Sequence, residues 1–279
     1  MNELALFAGA GGGILGGKLL GWRTVCAVEW EPYPASVLCA RQNDGLLPPF
    51  PIWDDIQTFD GNPWRGIVDV VSGGFPCTDI SAAGKGAGID GEASGMWREM
   101  ARVICEVRPR FVFVENSPML TSRGLGRVLG DLASMGFDAR WGVLGAADVG
   151  ANHQRNRIWI VGKQMAYTVN SRQLRKKRLE NNCSSQRRWQ SPDDANQKSK
   201  VFGKNANASC SDVERQRAVT IGIKQELRNI GDKSWWAVEP NVGRVANGVA
   251  ARVDRLKAIG NGQVPLCAAT AWRILNEQK

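Results

Sequence analysis

Short apolar runs alternate with longer amphipathic stretches through the first 162 residues. The runs Leu4–Ala8, Thr24–Val28, Val68–Ser72, Phe111–Glu115, Arg140–Gly145 and Arg157–Val161 predict strands. Apolar positions recur at helical spacing from about Met96 to Glu106 and from Leu125 to Met135. This alternation predicts an α/β domain built on a doubly wound, mostly parallel sheet, with ligands bound at the carboxyl ends of the strands. From Lys163 the pattern gives way to polar sequence such as Asn181-Asn182-Cys183-Ser184-Ser185 and Lys198 to Asn207. Regular character returns near 236, and Pro265 to Leu275 predicts a helix that completes the first domain. The expected organisation is therefore an α/β domain over 1–162, a distinct region over 163–235 and a completing segment over 236–279. No internal repeat is evident.

Composition sharpens this picture at three points. A chain of 279 residues with 43% hydrophobic content holds a sizeable core. No apolar stretch reaches the ~18 residues of a membrane span. Met1-Asn2-Glu3 runs directly into Leu4-Ala5-Leu6-Phe7 without a basic leader, so a soluble, cytoplasmic protein is expected. The cysteines Cys26, Cys39, Cys77, Cys105, Cys183, Cys210 and Cys267 are scattered and contain no C-x-x-C pair, which argues against a disulfide framework and a metal site. A functional cysteine is expected to act alone. The formal charge is +9, and residues 163–235 carry 16 Lys/Arg against 7 Asp/Glu, so all the excess lies there. A polyanionic partner is the natural inference, because each neutralised phosphate releases counterions. A solvated basic insert is the alternative.

Candidate chemistry clusters at the predicted strand ends. The first strand leads into Phe7-Ala8-Gly9-Ala10-Gly11-Gly12-Gly13, then a helix start at Ile14-Leu15. Glycines there let the backbone approach a ligand and expose amides at a helix N-terminus. Glu29 closes the second strand about twenty positions on, where a carboxylate grips the ribose hydroxyls of an adenosine cofactor. Trp30 is then placed to stack on adenine, and Asp55, beside Ile56, to accept from its amino group. Singly these residues are a turn, a solvated acid and a core aromatic; in strand order they favour an adenosine site. The segment Gly73-Gly74-Phe75-Pro76-Cys77-Thr78-Asp79 follows the strand Val68–Ser72 and places Cys77 at the active edge of the sheet, against the reading of a buried structural thiol. Glu115-Asn116-Ser117-Pro118 ends a very apolar strand, so the Glu115 carboxyl is expected to be partly desolvated, with a raised pKa and a proton to share.

Seven short blocks in this order resemble the DNA cytosine-5 methyltransferase family, and look closest to its compact phage- or prophage-type members. They are the Leu6–Gly12 loop, Glu29-Trp30, Asp55-Ile56, Pro76-Cys77, Glu115-Asn116, Gln154-Arg155-Asn156-Arg157 and Gly260-Asn261-Gly262-Gln263-Val264-Pro265. The resemblance covers most of the chain outside 163–235. It implies a Rossmann-like S-adenosylmethionine-dependent catalytic domain with a small target-recognition domain, acting on double-stranded DNA without a metal. Cys77 would add to carbon 6 of a flipped cytosine, and Glu115 would hold the N3 edge and lend a proton. Asn116 would buttress that loop. Arg155 and Arg157 would approach the base and the carboxylate, Arg155 being the direct contact. Phe7, Gly9, Gly11, Gly12, Glu29, Trp30, Asp55, Ile56, Pro76 and Asn261 would bind the cofactor. The loop Ser81–Gly88, small, glycine-rich and basic, would close over the base, with Gly91 and Gly95 extending its flexibility.

Two positions depart from the family pattern. Asn152-His153 stands where relatives carry a Pro-Gln pair before the arginines, which puts the sole histidine beside the site in a structural or phosphate-contacting role. Ser117 stands where a valine is common. Residues 163–235 fall where the family keeps its variable target reader, and Arg175-Lys176-Lys177-Arg178 and Arg187-Arg188 suit phosphate contacts. Trp235-Trp236 and Glu239-Pro240 mark the return to the core. A monomer is expected, bacterial or phage-encoded, working alone or beside a restriction endonuclease. The alternatives are a transfer-RNA cytosine-5 methyltransferase, which shares the cysteine chemistry, and a catalytically silent DNA-binding relative.

Overall fold

The computed structural model describes residues 1–76, 95–165 and 251–277. Seven strands form one sheet: β1 (Asn2–Leu6), β2 (Arg23–Val28), β3 (Ile52–Trp53), β4 (Val70–Gly73), β5 (Phe111–Asn116), β6 (Phe137–Leu144) and β7 (Arg157–Gln164), in the order β3-β2-β1-β4-β5-β7-β6. The first five are parallel, and β7 enters antiparallel between β5 and β6. The helices are α1 (Gly12–Leu19), α2 (Pro32–Asn43), α3 (Met96–Val107), α4 (Leu120–Arg123), α5 (Leu125–Met135), α6 (Arg252–Asn261) and α7 (Pro265–Glu277). Among the described residues no helix is long and apolar enough to cross a membrane.

The strands are nearly continuous apolar runs because both faces of the sheet are covered. Along β5, Val112 and Val114 point to one face, where they meet Trp97, Met100 and Ile104 of α3 and Val128 and Leu132 of α5. Phe111 and Phe113 point to the other face, against Ala268, Ala271 and Trp272 of α7. The Trp272 ring stands edge-on to Trp22, Phe111 and Phe113, with centroids 4.6, 5.3 and 5.5 Å away, a favoured aromatic geometry. Helix α7 also lies along α1, so the last described residues pack on the element that follows the first strand. That approach is close enough to require glycine: a Cβ on Gly16 would sit 2.7 Å from the Ala268 Cβ.

One buried acid has no place in the apolar pattern. Glu3, 1% exposed, accepts hydrogen bonds from the Thr24 hydroxyl at 2.7 Å and the Ser72 hydroxyl at 2.6 Å. Burial nevertheless pushes its pKa from 4.5 up to about 7, the two hydroxyls opposing the rise. The folded state thus holds this proton more tightly than the unfolded chain. Its contribution to stability is complete below pH 4.5 and is lost as pH rises to about 7. The stability gap between the wild type and Glu3→Gln should therefore shift by about 3 kcal/mol in favour of the variant between those limits. Urea unfolding of both proteins at pH 5 and pH 8 checks this; a gap that does not move with pH refutes it.

Candidate active site

Sheet register brings the candidate residues to one edge. Trp53, Val28, Leu6, Gly73 and Val114 are aligned across β3, β2, β1, β4 and β5. The residues just past that line are Asp54 and Asp55, Glu29, Phe7, Gly74 and Glu115, five neighbouring strand ends. Because β7 runs the opposite way, its first residue, Arg157, arrives at the same edge.

On the β1–β2 side, Phe7 and Gly9 have φ of 51° and 56°, and Gly11 caps α1 at φ 90°, so the backbone turns back on itself before the helix. Glu29 fixes that turn. Its Oε2 accepts from the Gly9 amide at 2.7 Å and its Oε1 from the Glu31 amide at 2.8 Å. Burial raises the Glu29 pKa and the two amides oppose it. A carboxylate holding one amide per oxygen retains lone pairs for further donors, such as the two hydroxyls of a ribose. Beside it Trp30 is 69% exposed. Nothing lies within 4 Å of where a Gly9 Cβ would be, so open space faces the loop at that point. These residues fit an adenosine-bearing cofactor. Asp55 accepts from the Gln57 amide at 2.9 Å. Ile56 is buried, and its carbonyl accepts from Arg102 of α3 at 2.6 Å. Arg102 also bonds the Phe59 carbonyl, Glu99 and Glu106, and so ties the β3 exit to the core; the sequence pattern marks it only as a helical charge.

The Glu29 arrangement gives a specific expectation. Glu29→Ala frees the Gly9 and Glu31 amides and removes a carboxylate that has lone pairs to spare. Affinity for an adenosine-bearing cofactor should fall by about 10–100-fold, the loss of charge-assisted hydrogen bonds. Calorimetric titration of wild type and variant with the cofactor, with thermal melts as the folding control, checks it; an unchanged affinity contradicts it.

On the β4–β5 side, Glu115 is buried at 9% exposure, with its Oε1 2.8 Å from the Arg157 Nε and its Oε2 accepting from the Gln263 Nε2 at 3.4 Å. Burial raises its pKa, against the pull of Arg157, Arg155 and Gln263. The carboxyl therefore keeps its proton to higher pH than an exposed glutamate. Asn116, also buried, donates to the Phe75 carbonyl at 3.0 Å and accepts from the Ser117 amide at 2.7 Å. Phe75 packs on Trp97 of α3 with centroids 5.5 Å apart. The backbone two residues before Cys77 is thus held to the strand that carries Glu115. Exposed Pro76 is the last described residue of this segment. Cys77, the loop 81–88 and Gly91 lie outside the described residues, as do 166–250 and with them most of the basic region.

Arg157 lies on Glu115, whereas Arg155, at φ 36°, turns its guanidinium to the Gly260 carbonyl at 2.6 Å and to the Gly262 carbonyl. Asn261 is exposed at the end of α6. His153 is half-buried, with its Nδ1 3.4 Å from the Asn152 Oδ1. A cleft of about 720 Å³ opens between these elements, lined by Gly12 and Leu15, by His153, Arg155 and Arg157, and by Ile259 and Gln263 among others. Gln263 belongs to the C-terminal block noted in the sequence, yet its contact with Glu115 spans 148 positions and carries no local signal. Among the described residues no group of three His, Cys, Asp or Glu is placed to hold a metal ion.

A family model described as C-5 cytosine-specific DNA methylase matches residues 1–241. The chain belongs to this family. It is similar to the type II methyltransferase M.NgoMIV of Neisseria gonorrhoeae, 31% identical over 171 residues that make up 60% of this chain and 53% of the relative. It is likewise similar to the type II methyltransferase M.CviJI of Paramecium bursaria Chlorella virus IL3A, 31% identical over 117 residues, 42% of this chain and 32% of that one. The chain thus spans about half or less of the length of these relatives. Among solved structures, the S. pombe Dnmt2 methyltransferase overlaps 61% of this chain and 52% of its own at 16% identity, with a TM-score of 0.47.

Proposed function

We propose that the chain methylates carbon 5 of cytosine in duplex DNA, with S-adenosylmethionine as methyl donor and Cys77 as nucleophile. The observation that carries this reading is the desolvated Glu115 carboxyl, clamped by Arg157 on one oxygen and joined through Asn116 to the backbone that leads into Cys77. Carbon 5 of cytosine is a weak nucleophile until something adds to carbon 6. The Cys77 thiolate forms that bond, and Glu115 donates its proton to N3, so the added electron pair does not build charge on the ring. Arg157 sets the orientation of Glu115 and offers a donor toward the pyrimidine carbonyl. Gly9 to Gly12 and Glu29 would hold S-adenosylmethionine, which when bound would supply an electrophilic methyl group. Carbon 5 takes that methyl group as N3 returns its proton to Glu115; carbon 5 then loses its own proton to a base, the carbon–sulfur bond breaks, and Cys77 leaves as thiolate. A base inside a duplex cannot meet Cys77 and Glu115 together, so the target must leave the stack at a cost of a few kcal/mol.

The basic region 163–235 is the proposed target reader: its excess charge suits phosphate contacts. The expected setting is the cytoplasm of a bacterium or phage-infected cell, with the protein acting alone or beside a cognate endonuclease. Transfer of labelled methyl groups to duplex DNA and to transfer RNA, assayed side by side and followed by bisulfite sequencing, tests the proposal. Methylated cytosine in DNA supports it. Transfer to RNA only, or to neither, overturns it.

A further inference from the structure

The Gln263 carboxamide lies between the Glu115 carboxyl and the glycine loop. Its Nε2 donates to the Glu115 Oε2, the oxygen that Arg157 leaves open. Its Oε1 lies so close to the cofactor loop that a Cβ on Gly13 would stand 2.5 Å from it, and the Gln263 carbonyl abuts Gly12 with no room for a side chain between them. Gly74 keeps the same path clear: a Cβ there would be 2.5 Å from the Glu115 Oε2 and 3.0 Å from the Gln263 Nε2. The turn that presents Gln263 is pinned from three directions. Arg155 donates to the carbonyls of Gly260 and Gly262, the Gly262 amide donates to Ala258 at 2.9 Å, and the Ala268 amide to Val264 at 3.1 Å. One rigidly mounted amide thus bridges the glycine loop and the acid on β5.

We propose that Gln263 is a positioning residue that holds the Glu115 carboxyl in its working orientation and links it to the 9–13 cofactor loop. The inference rests on the methyl-transfer reading above. A carboxylate restrained on one oxygen only can swing about its terminal torsion, which is soft. Held by Arg157 on Oε1 and Gln263 on Oε2, it presents one fixed edge to the base. The charged groups facing it are Arg157 and Arg155, and Gln263 adds a neutral donor that favours the ionised form without adding charge.

The test follows the Glu115 carboxyl directly by carbon-13 NMR titration, with Glu115→Gln assigning the signal. Gln263→Met keeps the length of the side chain and removes the donor. The Glu115 midpoint should rise by about half a unit to one unit, the effect of one lost hydrogen bond to a carboxylate. Gln263→Glu should raise it further, because a second acid faces the first. In single-turnover methyl transfer, Gln263→Met should lower the rate by about tenfold and move the alkaline limb up with the midpoint. Its affinity for S-adenosylmethionine, measured by calorimetry, should stay within about threefold of wild type. An unchanged midpoint in Gln263→Met overturns the proposal, as does a loss of activity explained wholly by weaker donor binding. Should the wild type methylate no DNA, the functional reading fails while the titration still decides the role of Gln263.

Discussion

Glu115→Gln should lower single-turnover methyl transfer by about 10²–10⁴-fold, the usual worth of a general acid, while the protein remains folded. Glutamine has the same shape, and its carbonyl oxygen still accepts from Arg157, so the arginine keeps a partner. What disappears is the transferable proton. Arg157 is itself partly buried, so losing the opposing charge costs some stability. The pH dependence separates the two effects. Burial raises the Glu115 pKa, so the protonated form persists to higher pH and wild-type activity should fall as pH rises through that value. The variant has nothing to titrate there, and its residual activity should lack that limb. Rate-against-pH profiles of both proteins, with thermal melts as the folding control, check the expectation. Near-wild-type turnover by the variant would remove Glu115 from the chemistry.

The strand pattern was the most legible part of the sequence, and the reason lies in burial from both sides. Apolar runs at 4–8, 24–28, 111–115 and 157–161 overlap β1, β2, β5 and β7, with no end displaced by more than three residues. The helix expected over Leu125 to Met135 coincides with α5. Helix α2 escapes the pattern because only Pro34 and Leu38 are buried in it, and it begins on Pro32 and ends on Arg41-Gln42-Asn43. Strand β3 is two residues long, too short to show a period. Spacing also carries no information on strand order. Nothing in the run Arg157–Val161 says that it returns antiparallel beside β5, yet that return is what delivers Arg157 to Glu115.

The same contrast holds within the site. Glu29 and Gly9 were legible as a pair because a strand end and a glycine loop lie on adjacent parallel strands, and the structure joins them by a hydrogen bond. Asn116 was legible as a buttress because it follows Glu115 directly, although its partner, the Phe75 carbonyl, is fixed only by the β4–β5 pairing. The family resemblance places Arg155 and Arg157 near the base and the carboxylate, with Arg155 the direct contact to the base. Arg155 precedes the strand and has a left-handed backbone, which turns it away toward the 260–262 carbonyls. Arg102, Gln263 and Glu3 act through partners that are distant in sequence, and each alone is indistinguishable from a surface polar residue.

Cys77→Ala should remove methyl transfer by at least about 10⁴-fold, since no step can begin without an adduct at carbon 6. DNA containing 5-fluorocytosine isolates that requirement. Fluorine at carbon 5 cannot leave as a proton does, so the wild type should remain covalently joined to the strand after methyl transfer. A band that survives denaturing electrophoresis is expected for wild type and none for Cys77→Ala. The other thiols in the described core offer no substitute: burial pushes those of Cys26 and Cys267 up to about 11, so at neutral pH they are protonated and sequestered. Exposed Cys39 lies on α2, away from β4 and β5. Donor affinity should be unchanged, because Glu29 and Gly9 belong to other strand ends. An adduct that persists in Cys77→Ala would place the nucleophile elsewhere, and with it would fall the argument that Asn116 and Phe75 hold the approach to the reacting sulfur.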